Sequence, residues 1–392
     1  MNRLAIVLSH PTQYYSPWFR WLAKHTEFDL KVFYLWDSGV TAKLDRKFGR
    51  TISWDVDLLS GYESEFVPNR AKRPGTGHFW GLHNPNLREQ LKAWAPEAIL
   101  LFGYAYRSHI NLILRPPAPL IFRGDSHLLA QRNPSGLKRF LLRLLYQRFS
   151  AITYVGQANR AYFETFHVPR ERLHFAPHCV NAEHFKSTPQ HHTVATNLRE
   201  ELGLVNKRVI LFAGKLIPTK QPRQLLEAFI AVASTNDALV ITGDGAEKPA
   251  LEKLAAKYPE HYVRFLPFTN QSEMPSRYLM ADIFVLPSKG NYETWGLAVN
   301  EAMHMGIPCL VSDRVGCQQD LVTEGETGWV FLHDQPTGLQ RSLQRALKTV
   351  SSDKTLLKQR IADRIEKYTY AKAAHGLILA FDQVVSNQAA SS

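Results

Sequence analysis

Short, unbroken apolar runs alternate along this chain with longer segments in which apolar residues return every three or four positions. In the first half the runs fall at residues 4–9, 30–35, 98–102, 120–123, 151–155 and 173–177. Being apolar at successive positions, they predict strands buried on both faces, as in a parallel sheet covered by helices. Between them, residues 18–24, 137–149 and 157–166 carry helical spacing. The polar, patternless stretch 186–196 reads as a linker, after which the alternation restarts. Strands are predicted at 208–213, 238–242, 263–268, 283–286 and 308–312. Helices are predicted from Gly296 and at 337–348, 354–367 and 370–384. Two rounds of this pattern predict two doubly wound α/β sheets. On this reading the first domain spans 1–190, the second 191–368, and a terminal helix with its tail 369–392.

Open α/β sheets bind ligands beyond the carboxyl ends of their strands, so the polar residues that follow each run are the candidates for chemistry. After the first run comes HPTQYYSPW, which sends His10, Gln13 and Tyr14 towards any cleft. After 120–123 come Asp125 and His127. After 208–213 comes GKLIPTKQP, with Gly214, Lys215 and Lys220; it lacks the second glycine and the Lys-Ser/Thr ending of a P-loop. The densest stretch is 285–331, where Pro287-Ser288 leads through a polar loop into a helix opening near Gly296. Glu293 lies just outside that helix and Glu301 less than two turns inside, so the two carboxylates can address opposite ends of one elongated ligand. The backbone N–H groups of Trp295, Gly296, Leu297 and Ala298 would face a phosphate at the helix start.

Glu293 and Glu301 with seven residues between them, the second opening Glu-Ala-Met, joined in order to Pro-Ser, Trp-Gly-Leu and Gly-Ile-Pro, resemble the retaining GT-B glycosyltransferases of family 4. The resemblance implies a GT-B fold, two Rossmann-like domains facing a cleft, with the last helix crossing back onto the first domain. It implies transfer of a sugar from a nucleotide-sugar donor to an acceptor hydroxyl, with a glycan, lipid-linked or small-molecule acceptor and a place in cell-surface glycan or glycolipid assembly. It gives Glu301 the donor ribose, Glu293 the donor sugar, and Lys215 and Lys220 the diphosphate. Phe268 falls near the nucleobase, and either Asp125 or His127 falls near the donor sugar. No cofactor is expected, and no metal. Asp55-Val56-Asp57 looks like the D-x-D metal motif of the other large glycosyltransferase fold, but it sits in WDVDLLSGY, a turn or edge setting. Departures from the family pattern include Gln221 where glycine is usual, the partial element PHCVNAEHF, and the four residues KGNY before Glu293, which suggest a reshaped sugar-facing loop. A GT-B sugar-nucleotide epimerase or phosphorylase, or a nucleotide-sugar-binding protein without catalysis, are the alternatives.

Composition changes this picture in two places. Residues 1–190 carry 25 Lys and Arg against 14 Asp and Glu, while the rest of the chain is nearly balanced. A basic first half suggests an anionic partner, with anionic lipid headgroups, an acidic acceptor and nucleic acid as the candidates. Residues 137–149 (LKRFLLRLLYQRF) join an apolar stripe to Lys138, Arg139, Arg143 and Arg148. The plainer expectation is a core-packing helix with a solvated basic face; the sharper one is a helix that touches anionic lipid. No interleaving of aromatic and basic residues points to nucleic acid. Three cysteines without a C-x-x-C pair, and a short apolar start that reads as a strand, point to a cytoplasmic protein on the inner face of a membrane.

Overall fold

The computed structural model describes residues 2–38, 40, 43–45, 50–52, 55–129, 134–290, 293–352 and 354–390. In chain order the first half holds β1 (Asn2–Leu8), β2 (Phe28–Tyr34), β3 (Lys43–Asp45), β4 (Arg50–Ile52), β5 (Glu63–Phe66), β6 (Ala98–Phe102), β7 (Leu120–Arg123), β8 (Ala151–Tyr154) and β9 (Leu173–Phe175). β3 and β4 form a separate antiparallel pair; the other seven make one parallel sheet in the order β5-β2-β1-β6-β7-β8-β9. The second half holds β10 (Arg208–Ala213), β11 (Asp237–Thr242), β12 (Tyr262–Leu266), β13 (Ile283–Leu286), β14 (Cys309–Ser312) and β15 (Gly328–Phe331). They form a parallel sheet in the order β12-β11-β10-β13-β14-β15. The central strands are fully buried: Leu4 to Val7 in one sheet and Val209 to Phe212 in the other have no exposed surface. Each sheet carries a packed layer of apolar side chains on both faces, the arrangement that the unbroken apolar runs demand.

Helix Tyr370–Ala389 returns to the first sheet. Its Ala373, Ala374, Leu377, Ala380 and Phe381 pack with Leu4, Leu30 and Ala98. The contact is close because Gly376 lacks a side chain: a Cβ there would lie 1.9 Å from the Phe175 carbonyl oxygen.

Two expectations are corrected. The stretch read as a linker is helical, as helix Pro189–Glu201, capped by the Thr188 hydroxyl accepting from the His191 N–H at 3.2 Å. Only Ala195 of this helix is buried, so it leaves no apolar period to read. The core-packing reading of residues 137–149 holds for a minority of the stripe. Helix Gly136–Tyr146 buries Leu142 and Tyr146, and Phe149 beyond it, but leaves Leu137 72%, Phe140 57%, Leu141 55% and Leu144 45% exposed. The helix faces the sheet with one edge, and most of the leucine-rich stripe lies on the outer side. Among the described residues no helix is long and apolar enough to cross a membrane. All three cysteines are free and buried.

Candidate functional site

The carboxyl ends of the two sheets meet, and side chains from the loops of one hold the loops of the other. The β7 loop reaches across twice. Asp125 accepts from the Thr294 hydroxyl at 2.7 Å and from His178 Nε2 at 3.4 Å. Burial alone would raise the Asp125 carboxyl; the hydrogen bonds and charge of His178 and the Thr294 bond outweigh it and hold it at about 2. His127 is buried, and its Nδ1 accepts from the Leu129 N–H at 3.2 Å, which leaves Nε2 to donate to the Glu293 carbonyl at 3.2 Å. Burial lowers its pKa, so the neutral ring makes this bond. Asp125, through the Thr294 hydroxyl, and His127, through the Glu293 carbonyl, therefore both brace the Glu293–Thr294 segment. Further along, the Gln157 N–H donates to both oxygens of Asp320 at 3.1 and 2.9 Å, and Asn300 Nδ2 donates to the His178 carbonyl at 3.2 Å.

Between these contacts lies a cavity of about 130 Å³, walled by Gln13 and Tyr14 from the β1 loop and by Gly214, Phe268, Ala298 and Glu301 from the second sheet. Glu301 is 3% exposed and sits in helix Leu297–His304. Its Oε2 accepts from the Tyr278 hydroxyl at 2.7 Å, its Oε1 from Gln271 Nε2 at 3.4 Å, and the Tyr14 hydroxyl bears on it from the other sheet. Burial nonetheless wins over these donors and pushes the carboxyl up to about 7. Gln271 is itself fixed, its carbonyl bonded by His184 Nε2 at 2.7 Å. Gly243 lines the same cavity at φ +138°; a Cβ there would lie 2.0 Å from the Gly214 carbonyl oxygen, so two strand-end loops close on each other only through glycine.

Lys220 and Glu293 are ion-paired, the carboxylate buried and the ammonium partly exposed. Both follow strand ends, Lys220 after β10 and Glu293 after β13. Lys215 stands at the exit of β10, with its carbonyl accepting from Ile217 N–H at 3.0 Å. Gln221, where the sequence departs from the family pattern, adopts φ +57° and starts helix Pro222–Val232. That left-handed conformation is the physical reason glycine suits the position. At the neighbouring helix start Gly296 has φ +99°, and a Cβ there would lie 2.9 Å from Val315 and 3.0 Å from Leu286. Among the described residues no side chain caps helix Leu297–His304, so its first N–H groups face outward beside Ala298.

The remaining sequence candidates separate. The expectation for Trp295 concerned its backbone N–H, and its side chain is turned elsewhere. Its indole is 2% exposed, donates to Asn300 Oδ1 at 2.7 Å and packs near His178 and Tyr368, away from the cavity. His10 pairs with the Ser9 hydroxyl at 2.9 Å and sets its ring against Trp36, while Gln13 and Tyr14 of the same loop reach the cavity. Asp55 and Asp57 diverge: Asp55 accepts from the Ser272 N–H at 3.2 Å and from its hydroxyl, and Asp57 closes a turn on Leu59 and Ser60 and pairs with Arg20. Within KGNY, Asn291 and Tyr292 lie outside the described residues. Sequence reasoning missed Tyr278 and Gln271, which stand outside the quoted motifs, and Thr294, an unassigned position between Glu293 and Glu301. Their signal is positional: each follows or flanks a strand end already suspected.

Residues 194–363 match the family described as Glycosyl transferases group 1. A putative glycosyltransferase of Bacillus subtilis, YtcC, is 30% identical over 204 residues, 49% of each chain. The GDP-mannose-dependent alpha-(1-6)-phosphatidylinositol monomannoside mannosyltransferase of Mycolicibacterium smegmatis is 27% identical over 201 residues, 49% of this chain and 51% of its own. The chain thus spans about half the length of these curated relatives. Among solved structures, Anabaena Alr3699/HepE, crystallised in complex with UDP and glucose, superposes over the full length of both chains with a TM-score of 0.68 at 15% identity. At that identity the likeness concerns the fold. Two doubly wound sheets thus close on a shared cavity in a GT-B fold, and the segment similar to Glycosyl transferases group 1 contains both glutamates and both strand-end lysines.

Proposed function

We propose that this protein is a retaining glycosyltransferase that moves a sugar from a nucleotide-sugar to an acceptor hydroxyl. One observation carries the reading: a buried carboxylate, Glu301, faces a cavity shared by both sheets, one helix turn from an uncapped helix start. Glu301 takes the ribose hydroxyls, which donate to it as Tyr278 does. Phe268 borders the base. The diphosphate lies between Lys215, Lys220 and the N–H groups of Leu297 and Ala298. In the reaction the bond from the sugar's anomeric carbon to the phosphate oxygen breaks and a bond to the acceptor oxygen forms on the same face. The acceptor proton passes to the departing phosphate, so no separate general base is needed. The demand is to stabilise charge growing on that phosphate, which fixed cations and helix N–H groups do. The Lys220–Glu293 pair sits where that charge grows, so donor binding draws Lys220 from Glu293 and leaves Glu293 beside the sugar.

Metal independence follows from the cations placed at the phosphate and from the prior engagement of Asp55 and Asp57. Turnover in EDTA should equal turnover without it; complete loss restored by manganese would overturn this part. The donor reading is tested by thermal unfolding of the full chain against the common nucleotide-sugars. The right one at a hundred times its dissociation constant should stabilise by ~2.7 kcal/mol. Release of nucleoside diphosphate with and without acceptor then separates transferase from epimerase and from a mere binder.

The acceptor side points to a membrane surface on the cytoplasmic side, as in glycolipid or cell-surface glycan assembly. The exposed Leu137, Phe140, Leu141 and Leu144 stand with Lys138, Arg139 and Arg143 on one helix of the basic half. Each cation near an anionic surface contributes ~1 kcal/mol, lost as salt rises.

A further inference from the structure

A larger cavity, of about 690 Å³, opens in the first half of the chain, away from Glu301. Arg70, Lys72, Arg73 and Arg107 line it with His78 and Trp80, and among the described residues no carboxylate does. Its loop follows β5, and Arg107 opens helix Arg107–Leu114 after β6. It therefore belongs to the same carboxyl edge of the sheet whose β1 and β7 loops meet the second half.

The loop that carries Arg70, Lys72 and Arg73 is pinned at its neck. The Asn69 amide donates to the Gly81 carbonyl at 3.0 Å, and its oxygen accepts from the Ala71 and His83 N–H groups at 3.0 and 2.9 Å. Gly75 N–H bonds to the Gly81 carbonyl, and the Tyr106 hydroxyl donates to the Thr76 carbonyl at 3.1 Å. Asn84, buried behind the loop, donates to the Leu35 and Val67 carbonyls at 3.0 and 2.8 Å, tying the loop to the ends of β2 and β5. Four cations thus stand on a fixed frame. Trp80 is 63% exposed, with the Arg107 guanidinium 5.6 Å from its ring. The Arg107 charge, after burial, lowers the pKa of His83 in the same wall.

A cavity of this size suits a small ligand. An indole face beside clustered guanidinium groups suits a ring with an apolar C–H face and an anionic substituent, since Arg forks match phosphate and carboxylate oxygens. A nucleic-acid strand would need a longer cationic track with several aromatic platforms. We propose that this cavity is an acceptor subsite for a saccharide bearing a phosphate or a carboxylate, its ring on Trp80 and its anion among Arg70, Lys72, Arg73 and Arg107. The assignment rests on the transferase reading above and adds the acceptor's charge to it.

The test is calorimetric titration of the full chain with a hexose 6-phosphate, a hexuronate, the neutral hexose and inorganic phosphate, on parent, Arg70→Ala/Arg73→Ala and Trp80→Ala proteins. The charged sugars should bind at least tenfold more tightly than the neutral hexose and lose at least tenfold in the double arginine variant. Trp80→Ala should weaken the charged sugars and leave inorganic phosphate unchanged. Preference for the phosphate over the carboxylate would name the source of the charge. Equal binding of charged and neutral sugars, no binding of either, or unchanged affinity in the double variant would overturn the proposal. Acceptor-free hydrolysis of the nucleotide-sugar should be the same in all three proteins. If no nucleotide-sugar stabilises the parent against thermal unfolding, the transferase reading has failed and not only the subsite.

Discussion

Glu301 is the residue on which the physical account is most exposed. A carboxyl held at about 7 in the folded chain and near 4.5 in the unfolded one binds its proton more tightly when folded. Stability contributed this way is present at low pH and is lost as pH rises between those values, by about 3 kcal/mol at most. Asp320, raised to about 6 by burial against the bonds of Gln157 and Tyr368, adds a loss of the same sign. Glu301→Gln should therefore unfold at a higher temperature than the parent above pH 7 and lose that advantage near pH 5. The same change should weaken nucleotide-sugar binding by roughly 1.5–3 kcal/mol, the worth of hydrogen bonds to a charged partner. Donor affinity in the parent should fall as pH drops below 7, because ribose hydroxyls donate best to the carboxylate; in Glu301→Gln this dependence should vanish. An unfolding profile indifferent to the substitution across that range would refute the burial argument. The spacing of Glu293 and Glu301 was legible in the sequence, as were the strand-end lysines. The groups that set the Glu301 proton were not, because Tyr278 and Gln271 from the connection between β12 and β13, and Tyr14 from the loop after β1, are brought together only by tertiary packing.

Strands were easier to read than helices, for a physical reason. A strand buried on both faces writes a continuous apolar run, and β6, β7 and β10 fall where those runs lie. A helix touching the core along one edge writes little, as Pro189–Glu201 shows with Ala195 alone buried. Helix Gly136–Tyr146 misleads in the opposite direction, since its apolar stripe is longer than the face the sheet covers. Replacing both Phe140 and Leu141 by Ser should change stability by no more than ~0.5 kcal/mol per site, as at other exposed positions. Co-sedimentation of the parent with anionic vesicles at low salt should be lost in that variant. Equal recovery with neutral vesicles, or no pelleting of the parent, would count against the membrane surface. Gly376→Ala addresses the returning helix. Its new Cβ would lie 1.9 Å from the Phe175 carbonyl oxygen, so helix or strand must move. A loss of ~1–3 kcal/mol in urea unfolding is expected, the usual cost of forcing extra volume into a packed contact. An unchanged midpoint would mean that the helix does not seat as described.

At the scale of the molecule, two sheets present their carboxyl edges to each other, and in the proposed reaction they divide the chemistry. The second supplies Glu301, Lys215, Lys220 and the helix start. The first supplies Gln13 and Tyr14 to the shared cavity, and Asp125 and His127 as braces on the loop that carries Glu293. A paired Lys220 and Glu293 at the junction give the account its sharpest consequence. If Lys220 serves the departing diphosphate, its charge matters more in the transition state than in donor binding. The decisive measurement is the steady-state turnover of Lys220→Ala with the nucleotide-sugar found by thermal unfolding, in EDTA, alongside the parent. A fall in kcat of roughly a hundredfold to a thousandfold, ~2.7–4 kcal/mol, with a KM for donor changed far less, is the expected result. A kcat within about threefold of the parent, a barrier difference of only ~0.65 kcal/mol, would contradict the assignment of the phosphate site and the mechanism built on it.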